Sequence, residues 1–144
     1  MRAMTAPANT PADHQSLTDE WTLLSRRYTA ISAALGRELD ERHGLSLHEF
    51  EVLARLAVDD HEQHRMQELA DATNLTQSAL SRLVSRLEQE GLVKRSMCDV
   101  DRRGIYACLA DAGRQRYEEA LPTYRAVLAG SLAGGAELAA DASP

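Results

Sequence analysis

Between residues 66 and 95 the apolar positions repeat first at helical and then at strand spacing. Leu80, Leu83, Val84 and Leu87 recur at i, i+3, i+4 and i+7, one stripe at helical period, with Leu75 and Ala79 flanking it upstream. At about 100° per residue, the opposite face holds Ser78, Arg82, Ser85 and Gln89, with Ser81 and Arg86 on its two shoulders. Carboxylates enter only in the last turn, at Glu88 and Glu90. Upstream, Glu68, Leu69, Ala70 and Ala72 predict a brief helix that Asn74 ends, and Thr76 is placed to cap the next one with its hydroxyl. Gly91 stops that second helix where a left-handed backbone costs glycine nothing. Residues 93–98 and 105–109 are strand-like, joined by a polar loop over 98–104 that ends in Gly104. The pattern predicts a helix-turn-helix followed by a β-hairpin wing.

The exposed face of the second helix offers hydroxyls, amides and guanidinium groups. Such a surface suits nucleic acid, because arginine grips phosphates or guanine edges with paired donors while serine and glutamine fit closely against backbone or base edges. Arg102 and Arg103 lie at the hairpin tip, where they suit a narrow, electronegative minor groove. A plain helical hairpin in an all-α protein explains the stripe alone but not the hairpin behind it.

The remaining apolar pattern is helical. Leu17, Trp21, Leu24, Tyr28, Ile31 and Leu35 alternate spacings of four and three, the seam of a long helix over about 16–42 that packs along another helix. Gly44 closes it, and Ser46 with Glu49 forms a capping-box pattern opening the next helix, whose apolar side is Phe50, Leu53, Ala54, Leu56 and Ala57. After the wing, Asp111 can cap a further helix carrying Tyr117, Leu121, Tyr124 and Leu128, with Pro122 expected to kink it. The first 14 residues, rich in Ala, Pro and Thr, read as a disordered tail. The Gly-, Ala- and Ser-rich end over 130–144 reads as a weak helical stub around 136–140 or a loose tail.

A chain of 144 residues, 44% hydrophobic and 4% aromatic, has room for one mostly helical domain with an aliphatic core. Its net charge of −6 argues against nucleic acid, but the charge is segregated. Residues 76–106 carry six basic and four acidic side chains, net +2, which leaves −8 on the remainder. Acidity elsewhere discourages non-specific contact. No apolar run approaches a membrane span and no signal-peptide core is evident, so a cytoplasmic protein is expected. Cys98 and Cys108 both fall in the wing, with Cys98 expected opposite about Ile105 and Cys108 opposite about Arg95; a disulfide is possible, but small strand residues in a reducing compartment are the simpler reading. The Asp59-Asp60-His61-Glu62-Gln63-His64 cluster lacks the i, i+4 histidine spacing of a zinc-protease motif and reads as a solvated connection. No cofactor or metal is expected, and no nucleophile elbow, phosphate-binding loop or catalytic carboxylate pair is recognisable.

Several segments resemble the MarR (multiple antibiotic resistance regulator) family of winged-helix transcription factors: Leu69-Ala70, the LTQSALSRLVSRLEQEGLVKR run, the Asp99-Val100-Asp101-Arg102-Arg103 loop, and Leu109-Ala110-Asp111-Ala112-Gly113. The GLSLHEFEVL run over 44–53 is similar to the family's second helix. The resemblance reaches from about 17 to 128 and is most specific over 67–113. It implies a mainly α fold with a small β-wing, a winged helix-turn-helix whose N- and C-terminal helices make a dimerisation region. A body over 16–129 would then comprise dimerisation elements at 16–43 and 111–129 and a DNA-binding unit at 45–110, flanked by tails at 1–15 and 130–144.

By the same resemblance a homodimer would bind a palindromic duplex through Thr76, Gln77, Ser78, Ser81, Arg82, Ser85 and Arg86 in or beside the major groove. Arg102 or Arg103 would enter the minor groove, oriented by Asp99 or Asp101. Arg65-Met66 would add a short strand to the wing sheet. Family members often bind aromatic acids between the dimer region and the reading head, which makes Trp21, Tyr28, His48 and Arg55 candidates for an effector site. Core packing is the simpler reading of Trp21 and Tyr28. The expected function is a DNA-binding repressor relieved by a small molecule. The alternative is a winged-helix module that docks protein with its arginines solvated, and an enzyme stands third.

Overall fold

A computed structural model of the chain describes residues 10–58, 63–97 and 105–141. Five helices and three strands follow one another as α1 (Pro11–His43), α2 (Leu47–Val58), β1 (Gln63–Arg65), α3 (Met66–Thr73), α4 (Gln77–Gln89), β2 (Val93–Met97), β3 (Ile105–Leu109) and α5 (Asp111–Asp141). Residues 98–104, with Cys98, Asp99, Asp101, Arg102 and Arg103, lie outside the described residues, as do Asp59–Glu62 of the polar cluster.

The first helix begins earlier than its composition predicts. Thr10 caps it, its hydroxyl accepting from the Asp13 N–H at 3.3 Å while the Asp13 carboxylate accepts from the Thr10 N–H at 3.0 Å and from its hydroxyl at 2.6 Å. Pro11 follows, where its missing donor is not needed. The expected tail over 1–15 is therefore corrected: residues 11–15 are helical because this reciprocal cap satisfies the first turn. The helix runs about 50 Å at 1.5 Å per residue, so it extends well past the body of the fold. Only Leu35 and Leu39, near its C-terminal end, are buried.

That end joins α5. His43 Nε2 shares a 2.8 Å hydrogen bond with Thr123 Oγ1, and the Arg116 guanidinium donates to the His43 carbonyl at 3.0 Å. The helix α5 is unbroken through Pro122 and the Gly134-Gly135 pair to Asp141. This corrects the expected loose or stub-like end over 130–144, of which residues 142–144 lie outside the description. Glycine weakens a helix without removing any of its hydrogen-bonding groups, and the alanines at 129, 133, 136, 139 and 140 are the strongest helix formers available.

The core lies where α2, α3, α4, the sheet and the first half of α5 meet. Leu39, Leu45, Phe50, Leu53, Leu56, Leu69, Leu80, Val84, Leu87, Leu92, Val93, Ala107 and Ala120 are buried together. Ser46 caps α2 as expected, its Oγ accepting from the Glu49 N–H at 3.1 Å. The Glu49 side chain turns inward instead of completing the capping box, because Arg86 of α4 offers it a charged partner.

The sheet is antiparallel in the order β1-β3-β2. Its register sets Arg95 opposite Ala107 and Lys94 opposite Cys108, one residue away from the pairing expected for Cys108. The added strand is Gln63–Arg65, and Met66 already belongs to α3. Between sheet and α5, Gly113 is buried with its α-carbon against the Leu92 carbonyl, so that any Cβ there overlaps a backbone atom.

Candidate nucleic-acid interface

The turn between α3 and α4 is built by local rules. Asn74 takes the left-handed conformation at φ 55°, and the N–H groups of Asn74 and Leu75 both return to the Ala70 carbonyl. Two residues later Thr76 caps α4, its hydroxyl accepting from the Ala79 N–H at 3.1 Å. At the other end Gly91 is left-handed at φ 74°, and the Leu92 N–H reaches the Leu87 carbonyl at 2.9 Å. The helix is thus fixed in length at both ends, with Leu80, Val84 and Leu87 sealed against the core.

Its opposite face is open. Gln77, Ser78, Ser81, Arg82, Arg86 and Gln89 are exposed and Ser85 is half-buried. Arg82 Nε donates to the Ser78 carbonyl of its own helix at 3.3 Å, which lays the guanidinium along the surface. The Ser85 hydroxyl donates to the Ser81 carbonyl at 2.9 Å.

The two shoulders of this face are committed to other elements. Ser81 holds Arg95 of β2, whose Nη2 donates to the Ser81 carbonyl at 2.6 Å and to its hydroxyl at 3.2 Å. Glu88, two turns further on, accepts from the Arg95 N–H at 3.1 Å, so that the wing strand is fastened to α4 through both side chain and backbone. On the other shoulder Arg86 pairs with Glu49 of α2 at 3.1 Å. Ser81 and Arg86 are therefore tie points as well as surface groups, which narrows the freely presented set to Gln77, Ser78, Arg82 and Gln89 around the Thr76 cap. Arg95 and Glu49 were not among the expected site residues. Their only signals in the sequence were a strand arginine next to the reading helix and an acid at a capping-box position.

The four expected effector residues do not converge. Trp21 and Tyr28 are 69% and 70% exposed on the outer part of α1, which contradicts both an enclosed pocket and a core role within one chain. Trp21 borders a shallow groove along α1 with Ser25, Arg26 and Thr29. His48 lies at the start of α2, exposed, with Nδ1 3.3 Å from Glu51 Oε2. Arg55 alone lines a substantial cavity, of about 400 Å³, between α2, the end of α3 and α5. Its walls include Phe50, Asn74, Tyr117, Leu121 and Tyr124. Phe50 stacks on Tyr124 with ring centroids 4.5 Å apart and lies 5.5 Å from Tyr117. Burial raises the Tyr124 hydroxyl above its ordinary range, with Glu51 and Tyr117 adding to the effect. The sequence showed these tyrosines only as apolar steps of α5. Among the described residues, no group of His, Cys, Asp and Glu could hold a metal ion, and no helix is long and apolar enough to cross a membrane.

A capped reading helix behind a left-handed turn, buried on one side and tied on its flank to an antiparallel hairpin, defines a winged helix-turn-helix protein. The profile of the MarR family matches residues 43–104 of this chain. The chain is 33% identical over 89 residues to the HTH-type transcriptional repressor MdtR of Bacillus subtilis, a match covering 62% of this chain and 56% of MdtR. The chain spans about three fifths of the length of the curated relatives it matches. Among solved structures, the MarR family regulator Sco3205 of Streptomyces coelicolor in complex with DNA aligns with a TM-score of 0.76 at 29% identity, covering 88% of this chain and 77% of that one. CouR of Rhodococcus jostii RHA1, bound to p-coumaroyl-CoA, aligns at 0.68 and 29% identity over 76% of each chain.

Proposed function

We propose that this chain is a homodimeric, sequence-specific double-stranded DNA-binding repressor, released from a palindromic operator by a small-molecule effector. The observation that carries the reading is the α4 face, polar and open at Ser78, Arg82 and Gln89 opposite the sealed Leu80, Val84 and Leu87, with Gln77 exposed in the first turn. A helix presenting guanidinium, amide and hydroxyl groups, with no carboxylate before Glu88 in its last turn, can meet the donors and acceptors of a major groove. Sco3205, similar across most of the chain, is seen with DNA, and MdtR carries the name of a repressor. By the family resemblance Arg102 or Arg103 extends the contact to the minor groove, with Asp99 or Asp101 as the orienting acid.

Dimerisation is supported by Leu17, Trp21, Leu24 and Tyr28, an apolar seam more than half exposed on the projecting part of α1. Two copies joined there set two reading helices on successive turns of one duplex face. Effector binding is supported by the cavity at Arg55, which has room for a small aromatic ligand and sets one cation beside the Glu51 carboxylate among aromatic rings. CouR, with its bound p-coumaroyl-CoA, sets the precedent of a relative that holds an aromatic acyl group. The helix α2 forms one wall of that cavity and also meets α4, so a ligand that moves α2 moves the reading face.

The test is footprinting of the purified protein on the DNA upstream of its own gene, with and without a panel of aromatic acids. A protected, two-fold symmetric site that one of the acids releases is the expected result. A protein that leaves this DNA and random-sequence duplexes unshifted on a gel is not a DNA-binding regulator, and protein docking becomes the better reading.

A further inference from the structure

Glu49 stands out among the charged residues of the molecule. It is 2% exposed, one oxygen pairs with Arg86, and the other, Oε2, has no hydrogen-bond partner among the described residues. A carboxylate withdrawn from water with half its valence unmatched is a poor way to fasten two helices, since an apolar side chain of equal volume packs as well or better. What the pair supplies is direction. The stripe of Leu80, Val84 and Leu87 against the core is non-directional and lets a helix roll a few degrees about its axis at small cost. A close ion pair from the shoulder of α4 to the adjacent α2 opposes that roll, and the Arg95–Ser81 bond resists it from the opposite shoulder.

Building on the DNA-binding reading above, we infer that Glu49 is a positioning residue for sequence discrimination: it holds Arg86, sets the rotation of α4, and so decides where Ser78 and Arg82 point. Arg86 then acts through Glu49 rather than as a phosphate contact.

The experiment measures anisotropy of two labelled duplexes, one selected from random-sequence DNA by the wild-type protein and one scrambled, over a range of salt. Arg86→Gln is expected to reduce the ratio of the two affinities about tenfold, the scale of one misaimed base contact, while the salt slope stays as in wild type. Glu49→Gln is expected to do the same, and the double variant no worse than the poorer single one. Because Glu49 is buried, Glu49→Gln is checked by thermal unfolding; Arg86→Gln, at a side chain 62% exposed, carries the test if the other fails to fold.

A slope shallower by about 0.9 in Arg86→Gln, with both duplexes weakened equally, makes Arg86 a phosphate contact and overturns the inference. An unchanged affinity ratio overturns it too, as does an equal loss on both duplexes at unchanged slope, which marks the pair as merely stabilising. Failure of the wild type to select any duplex removes the DNA-binding reading itself, an outcome distinct from a wild type that discriminates while Arg86→Gln discriminates equally.

Discussion

Ser81 and Arg82 are neighbours on α4 with different work to do. The Ser81 oxygens are occupied by the Arg95 guanidinium, whereas Arg82 is exposed with only its Nε engaged, on its own helix. Arg82→Ala is expected to cost about 1–3 kcal/mol of specific binding and to relax preference at one base position, read by anisotropy on the selected duplex and its single-base variants. Arg103→Ala, in the segment between β2 and β3, is expected to weaken binding with less loss of specificity; equal behaviour of the two variants defeats the assignment of base and groove roles. The alternation of serine and arginine along 76–89 was enough to mark which side chains face outward, since helical period alone decides that. It did not reveal which are already spent, because Glu49 and Arg95 sit on other elements and meet α4 only after folding. Gly113 makes the same point for stability. Nothing in Asp111-Ala112-Gly113 announces that the Leu92 carbonyl lies against it, yet Gly113→Ala must push a backbone atom aside. A loss of about 3 kcal/mol in a urea titration is expected, at the upper end of ordinary overpacking because the obstacle is main chain.

Element ends were legible where a capping side chain sits beside an apolar run, and illegible where composition drowned it. Thr76, Asn74 and Gly91 act as their residue types predict, and α4 accordingly has its expected length. Thr76→Ala is expected to lower global stability by about 1 kcal/mol, measured by chemical denaturation, through loss of the bond to the Ala79 N–H. At the start of α1 the same signal was present as Thr10-Pro11 with Asp13, but it lay inside an Ala-, Pro- and Thr-rich stretch that resembles a tail. The Asp13 carboxyl is held below its ordinary range by the Thr10 hydroxyl first and the Thr10 N–H second. A lowered carboxylate stabilises above its ordinary range and loses that contribution as pH falls through the lowered value. The first turn of α1 is therefore expected to fray on acidification below the ordinary carboxylate range, with faster amide exchange at residues 13 and 14 while residues 30–43 stay protected. The far end of α5 is illegible for the opposite reason. The Gly134-Gly135 pair weighed more heavily than the surrounding alanines, although glycine removes no donor from the helix and Pro122, which does, is also passed through.

At the scale of the whole molecule the unresolved account is the apolar surface of α1. Its seam spacing is visible in the sequence, but spacing cannot say what covers the seam; the exposure of Leu17, Trp21, Leu24 and Tyr28 says that no described element of this chain does. An aromatic side chain buries about 150–250 Å² when covered, so two copies of this seam form a substantial contact even before α5 contributes Leu132, itself 49% exposed. Each covered leucine contributes about 1.5–3 kcal/mol, and a two-fold axis counts every substitution twice. Leu24→Glu replaces an attractive contact by a carboxylate on both sides of the axis and is expected to raise the dimer dissociation constant at least a hundredfold, or about 2.7 kcal/mol. Because Leu24 is 53% exposed in the single chain, helix content by circular dichroism is expected to remain that of wild type. Sedimentation velocity then separates the possibilities: a folded monomer places the interface on α1, while an unchanged dimer moves it elsewhere. The same variant reports on function, since a monomer keeps its grip on one half-site but loses the gain from binding two at once. Affinity for a palindromic duplex is expected to fall to that for its half-site, and a Leu24→Glu monomer that still prefers the full palindrome would falsify the link between the α1 seam and operator symmetry.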